Sequence, residues 1–335
     1  MKISLLSVAP PYRGGISEQS YYLYKKLREN HSVNIINFKR QYPNFLFPGK
    51  TQYENSSYEK DNQNYRVIDS INPFSWIRAA KLLKDSSPDL IILRFWNPFF
   101  SICHAFILKR VKKYLRNIKV ICICDNINPH EKHFYDKFLI AKLFKYVDGF
   151  IVMSEKVEEE LLEILQNPTY RKLFHPVSTE VTIYPKKESK IKLGLSDKNI
   201  ILFFGLVRSY KGLDVLIKAN KYLKEKMSNY QILVCGESYE NEDYYTELIK
   251  DNSSTGEIKW INEFIPYDKI STYFSASDVV VLPYKSASQS GVIPLAYSYQ
   301  IPVIASDIKG ISEMVLDGRT GLLFKQNDSD LLSEK

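Results

Sequence analysis

Apolar runs of strand length recur along the whole chain with helix-like segments between them, and that alternation sets what it can fold into. In the first half they are KISLLSV (2–8), VNIINF (33–38), LIILRF (90–95), KVICIC (119–124) and GFIVMS (149–154). In the second half they are IILFFG (200–205), QILVCG (231–236), IKWI (258–261), DVVVLPY (278–284) and PVIAS (302–306), with GLLF close to the C-terminus. Continuous Val, Ile and Leu runs suit strands buried on both faces, as parallel sheets between helix layers are. Two alternating β/α series predict an α/β chain of two doubly wound, Rossmann-like domains. At 335 residues, 44% of them hydrophobic, the chain can build two cores. The Pro-containing, charged stretch HPVSTEVTIYPKKESK (175–190) predicts the boundary, giving domains 1–178 and 179–335. The polar segment 41–66 reads as a long loop, either mobile over a cleft or a plain surface insertion.

A net charge of +8 leaves three classes of anionic partner: a phosphate-bearing small ligand, an anionic membrane surface or nucleic acid. Nucleic acid is set aside, because no basic motif is interleaved with aromatics and no recognition helix is visible. Lys109, Arg110, Lys112, Lys113 and Arg116 have helical spacing. They read as a solvated helix face or as a polybasic surface resting peripherally on anionic lipid. Cys103, Cys122, Cys124 and Cys235 sit inside apolar runs without a second ligand pair at zinc spacing, so no metal site is expected and they read as reduced core residues of a cytosolic protein. No signal peptide is visible, and no apolar run approaches the ~18–20 residues of a membrane span.

In two facing doubly wound sheets, loops at the carboxyl ends of strands line the crevice. Four such loops carry informative residues. In APPYRGGISEQ (9–19), Gly14 and Gly15 let backbone approach a ligand, and the following helix start offers amides to an anion; a tight βα turn explains them equally. In CDNINPHEKH (124–133), Asp125 and His130 are candidates for acid–base work on a hydroxyl, or parts of a loop leading into a helix. After the strand ending in Gly205, Arg208 and Lys211 present a planar fork and a point charge suited to a diphosphate, or are solvated loop cations.

The fourth loop opens SASQSGVIPLAYSYQIPVIASD (286–307). Ser288, Gln289 and Ser290, with free amides near Gly291 and Val292, read as an anion cradle where a short helix with Pro294 in its first turn begins. A serine N-cap with no ligand is the plainer alternative.

Taken in order, PPYRGGI, CDNINPHEKH, VDGFIVMSEKVEEEL, LFFGLVRSYKGLDVLIKA and VVVLPYKSASQSGVIPLAYSYQIPVIASDIKGISEMVLDGRTGLLF resemble the group 1 family of retaining, nucleotide-sugar-dependent glycosyltransferases of GT-B architecture. The resemblance implies a sugar-nucleotide donor held mainly by the C-terminal domain and a glycan or lipid-linked acceptor on the N-terminal one. It implies that Arg208 and Lys211 hold the leaving diphosphate without a metal or cofactor. The amides of Ser290, Gly291 and Val292 would cradle the distal phosphate, and Gly15 would approach it. It implies work in bacterial surface polysaccharide or glycolipid assembly, in the cytoplasm or at the inner membrane face.

Three departures stand out. Many members carry two glutamates eight positions apart, and those positions are Ala287 and Leu295 here, which leaves Ser288, Gln289 and Glu313 as candidates for the ribose. The absent pair also motivates an alternative, a non-catalytic sugar-nucleotide-binding or partner subunit. Where many members have a histidine at the fourth strand's end, this chain has Cys124 and Asp125, with His130 as a candidate substitute. The family's final helix, which crosses back to the N-terminal domain, is not found before SDLLSEK, so a shortened C-terminal domain is expected.

Overall fold

The computed structural model describes residues 1–47, 49–54, 61–128, 133–177, 180–195, 197–254 and 256–335. The chain divides into two compact units, Met1–Phe174 and His175–Lys335. Each has its own parallel sheet and its own buried apolar clusters.

In the first unit the strands are β1 (Lys2–Leu6), β2 (Ser32–Arg40), β3 (Asn64–Asp69), β4 (Leu90–Phe95), β5 (Lys119–Cys124), β6 (Gly149–Val152) and β7 (Tyr170–Lys172). They are linked by helices α1 (Gly15–Arg28), α2 (Pro73–Ser86), α3 (Ser101–Tyr114), α4 (Asp136–Phe144) and α5 (Glu155–Ile164). The strand order is β3-β2-β1-β4-β5-β6-β7, all parallel. Central strands bury nearly every residue, which is why they read as unbroken apolar runs. Side chains set several helix starts: Asn72 accepts from the Phe74 amide with Pro73 beside it, and Ser154 accepts from the Val157 amide.

The second unit holds α6 (Lys186–Lys192), β8 (Asn199–Phe204), α7 (Leu213–Lys226), β9 (Tyr230–Cys235), α8 (Glu242–Asn252) and β10 (Ile258–Ile261). There follow α9 (Tyr267–Ala276), β11 (Val279–Leu282), α10 (Val292–Ser298), β12 (Val303–Ser306), β13 (Gly321–Phe324) and α11 (Ser329–Glu334). Its strand order is β10-β9-β8-β11-β12-β13, again parallel. Asp328 caps α11 by accepting from the Leu331 amide.

Strands β3 and β7 were not among the runs read from the sequence. Both lie at sheet edges and are only partly buried, so NYRVID and YRK carry no continuous apolar signal. The segment expected as a loop over 41–66 is therefore shorter, since β3 begins at Asn64. Its described part is tied down. Backbone bonds join Arg13 N to Gln52 O (3.0 Å) and Glu54 N to Pro11 O (2.9 Å), and Tyr12 bridges to Tyr53. The four cysteines are buried, with Cys122 Sγ 3.8 Å from Cys124 Sγ on one face of β5. Of the basic residues on α3, Lys112 pairs with Asp148 at 2.8 Å and Arg110 lies over the Tyr114 ring. Among the described residues no helix is long and apolar enough to cross a membrane.

Candidate functional site

Strand order in the second unit reverses between β8 and β11. Open α/β sheets bind ligands outside the carboxyl ends of the strands at such a switch point. The two loops flanking it are 205–212 and 283–291, the ones that carry Arg208, Lys211 and the serine cluster. Glycines let these loops close on each other. Gly212 has φ 68°, and a Cβ there would lie 1.9 Å from the Pro283 carbonyl oxygen. The Lys285 amide then donates to the Tyr210 carbonyl at 2.7 Å, joining the loops through backbone.

Gly205 has φ 105°, and a Cβ on it would lie 2.9 Å from Lys211 Nζ, so the missing side chain makes room for the ammonium. Lys211 Nζ sits 5.8 Å from the Tyr284 ring centroid, and the Arg208 guanidinium 5.0 Å from that of Tyr239. Burial, and then the nearby Arg208 charge, push the Lys211 pKa down to about 8. Among the described residues neither cation has a carboxylate partner within salt-bridge distance. Lys285, one loop away, does: Asp214 takes its ammonium at 2.8 Å. The arrangement leaves two unneutralised positive groups at the switch point, which suits an anion of high charge density such as a diphosphate.

Ser288 and Ser290 are buried, Gln289 and Val292 half-buried, and Gly291 is exposed. The Val292 amide, expected as part of an open cradle, donates to Ser290 Oγ at 3.2 Å, and Ser290 also hydrogen-bonds the Tyr284 hydroxyl. Gly310, at φ 86°, packs so closely that a Cβ would meet the Ser288 carbonyl oxygen at 2.5 Å, holding the loop after β12 against this turn. Glu313 is exposed in a single 3₁₀ turn, Ser312–Met314. Ala287 is buried and Leu295 packs against the apolar cluster of this unit.

In the first unit Gly14, at φ 108°, precedes α1, which starts at Gly15. Among the described residues a Cβ on either glycine would meet no heavy atom within 4 Å, so they leave the space above this turn open. Asp125 was read as a candidate acid or base. Both of its carboxylate oxygens instead accept from Arg94, at 2.6 Å from Nε and 2.6 Å from Nη2. His130 lies outside the described residues.

Sequence reasoning missed Tyr239 and Glu240. They sit in the loop after β9, and Glu240 Oε1 accepts from the Ser209 amide at 2.7 Å while its Oε2 accepts from Tyr245 (3.2 Å). Glu240 thus anchors the turn that presents Arg208. The signal was available: GESYE follows a strand ending in glycine, the criterion already used for the loop after β8. Arg94 was missed too, although an arginine inside LIILRF breaks an otherwise apolar strand.

Residues 185–335 match the family model described as glycosyl transferases group 1. The whole chain is 24% identical over 344 residues to an uncharacterised glycosyltransferase of Methanocaldococcus jannaschii, covering 100% of this chain and 87% of that one. A shorter match, 24% over 179 residues, is to an alpha-D-kanosaminyltransferase of Streptomyces kanamyceticus, covering 52% of this chain and 46% of that one. Among solved structures, the Anabaena protein HepE in complex with UDP-glucose aligns with a TM-score of 0.74 at 15% identity, over 100% of this chain and 88% of that one. Sucrose-phosphate synthase from Thermosynechococcus elongatus aligns with a TM-score of 0.73 at 18% identity, over 99% and 88%. Residues 185–335 thus carry the likeness to the glycosyl transferases group 1 family, and the fold of the chain is that of GT-B glycosyltransferases.

Proposed function

We propose that the chain transfers a glycosyl group, of hexosyl type, from a nucleotide diphosphate sugar to a hydroxyl acceptor with retention at the anomeric carbon. One observation carries this reading: Arg208 and Lys211 stand together at the switch point of the second unit with no carboxylate among the described residues neutralising them. The bond between the anomeric carbon and the distal phosphate oxygen breaks, and a bond from that carbon to the acceptor oxygen forms. Negative charge gathers on the leaving diphosphate, where both cations stabilise it in place of a metal ion. A leaving phosphate oxygen takes the acceptor's proton, so no side-chain base is required. That suits Asp125, whose oxygens are committed to Arg94. The UDP and UDP-glucose bound in the HepE structures support a nucleotide sugar as donor. Ser288, Gln289 and Glu313 remain the proposed contacts to its ribose.

Arg208→Ala or Lys211→Ala is expected to cut turnover of the best donor by about 10²–10³, the scale of losing one preorganised donor to a developing anion. Near-normal turnover in both variants would remove the proposal's basis. We place the reaction in surface polysaccharide or glycolipid assembly at the inner membrane face, where the exposed basic residues of α3 would meet anionic lipid. Co-sedimentation that does not depend on anionic lipid would discard that placement.

A second reading is favoured by Ala287 and Leu295, which bring no carboxylate to the loop and helix after β11. It makes the chain a sugar-nucleotide-binding subunit without turnover. Incubation with UDP-, ADP-, GDP- and dTDP-sugars separates the two, since binding without hydrolysis or transfer for every donor supports the subunit.

A further inference from the structure

We infer that Arg94 is a positioning residue, a buried post that fixes the turn after β1 and the loop after β5 at the switch point of the first unit. Strand order there reverses between β1 and β4, so the carboxyl ends of these two strands flank that sheet's ligand crevice. Arg94 is the penultimate residue of β4. Its guanidinium reaches in two directions. Nε and Nη2 grip Asp125, the first residue beyond β5, and Nη2 also donates to Gln19 Oε1 on α1. The Asp125 amide donates to the Phe95 carbonyl at 2.8 Å, which carries the β4–β5 ladder one residue past the strand. Gln19 lies one turn into α1, just after the open Gly14–Gly15 turn. One side chain therefore braces the start of α1 and the beginning of the 125–128 loop against a single strand end.

The energetics argue for position over stability. The Arg94 and Asp125 side chains are each only 6% exposed. Desolvating both charges offsets much of their attraction, and replacing such a pair by apolar side chains is often neutral or stabilising. Gln19 could be satisfied by water on a helix surface. What the apolar replacement cannot supply is the planar fork, which sets the angle of Asp125 and the distance to Gln19 together. The inference rests on the glycosyl-transfer reading for its kinetic consequences and on this geometry alone for its structural ones.

The test uses the full-length chain in three variants: Arg94→Met/Asp125→Val, Arg94→Lys and Gln19→Leu. Three quantities are read: the melting temperature, amide hydrogen exchange over 13–20 and 125–128, and kcat and KM with UDP-glucose or whichever of the four nucleotide sugars the wild type turns over. The double variant is expected to melt within about 3 °C of wild type. Its exchange should rise at least about tenfold in both segments. Its kcat should fall about 10²-fold with donor KM unchanged, the cost of misplacing groups by about an ångström. Gln19→Leu should loosen 13–20 alone, and Arg94→Lys should loosen both segments, so the inference stays testable if the double variant does not fold. Unchanged exchange in folded variants would overturn it, as would loosened segments with full kcat. A wild type that turns over none of the nucleotide sugars would end the functional reading and leave exchange to decide this one.

Discussion

Two cations held close in a partly desolvated site repel each other, and the proton on Lys211 records it. Its pKa falls to about 8 from an ordinary 10.5, through burial first and the Arg208 charge second. The sign follows for two observables. The folded chain gives up this proton more readily than the unfolded one, so this group's contribution to stability rises as pH climbs from about 8 toward 10.5. The proposed diphosphate binding needs the charged ammonium, so it is expected to weaken over the same interval. A thermal-shift series between pH ~7 and ~10 should show the shift induced by UDP shrinking above about 8 in the wild type. In Lys211→Arg the shift should stay level, because a guanidinium keeps its charge throughout. An equal decline in both proteins would mean that Lys211 is not the group responsible. The two cations were readable as residues in a loop, whereas their lack of carboxylate partners among the described residues was not. That depends on Asp214 reaching Lys285 and on Glu240 spending itself on the Ser209 amide and Tyr245, contacts spread over some seventy positions of sequence.

Element by element, every central strand was legible, and so were the apolar edge strands β10 (IKWI) and β13 (GLLF), while the polar edge strands β3 and β7 were not. A strand with neighbours on both sides must be apolar on both faces, so β1, β4 and β8 announce themselves; β3 and β7, with one neighbour each, are free to carry Asn, Arg and Lys. Helix α3 shows what periodicity hides. His104, a polar residue in the fourth position of this helix, drew no attention in the sequence. In the fold it is fully buried against Phe38 and Phe100, with neither ring nitrogen hydrogen-bonded among the described residues. Burial pushes its pKa down to about 3 from 6.5, so the folded chain keeps it neutral while the unfolded chain takes up the proton. The stability that neutral His104 permits is complete above about 6.5 and drains away as pH falls toward 3. Urea midpoints should therefore drop more steeply between pH ~7 and ~4.5 in the wild type than in His104→Leu, whose core has nothing to protonate. Parallel losses in the two proteins would assign the acid sensitivity elsewhere.

At the scale of the molecule, each unit closes its own accounts. The apolar clusters around β1–β7 contain only residues of Met1–Phe174, and those around β8–β13 only residues of His175–Lys335. Sheet order, core and the proposed diphosphate groups of the second unit all lie within that unit, so it should fold and bind nucleotide by itself. A fragment spanning His175–Lys335 is expected to unfold cooperatively, because both faces of its six-stranded sheet remain covered by its own helices. With UDP at about 100 times its Kd, linkage adds about 2.7 kcal/mol, which for a unit of this size raises the melting temperature by roughly 5–10 °C. Arg208→Ala within the fragment should remove most of that shift. The complementary fragment, Met1–Phe174, should melt at the same temperature with and without UDP. A shift confined to the intact chain would show that the second unit's cations are insufficient, and that binding draws on groups from the first, with the open turn at Gly14 and Gly15 the first place to look.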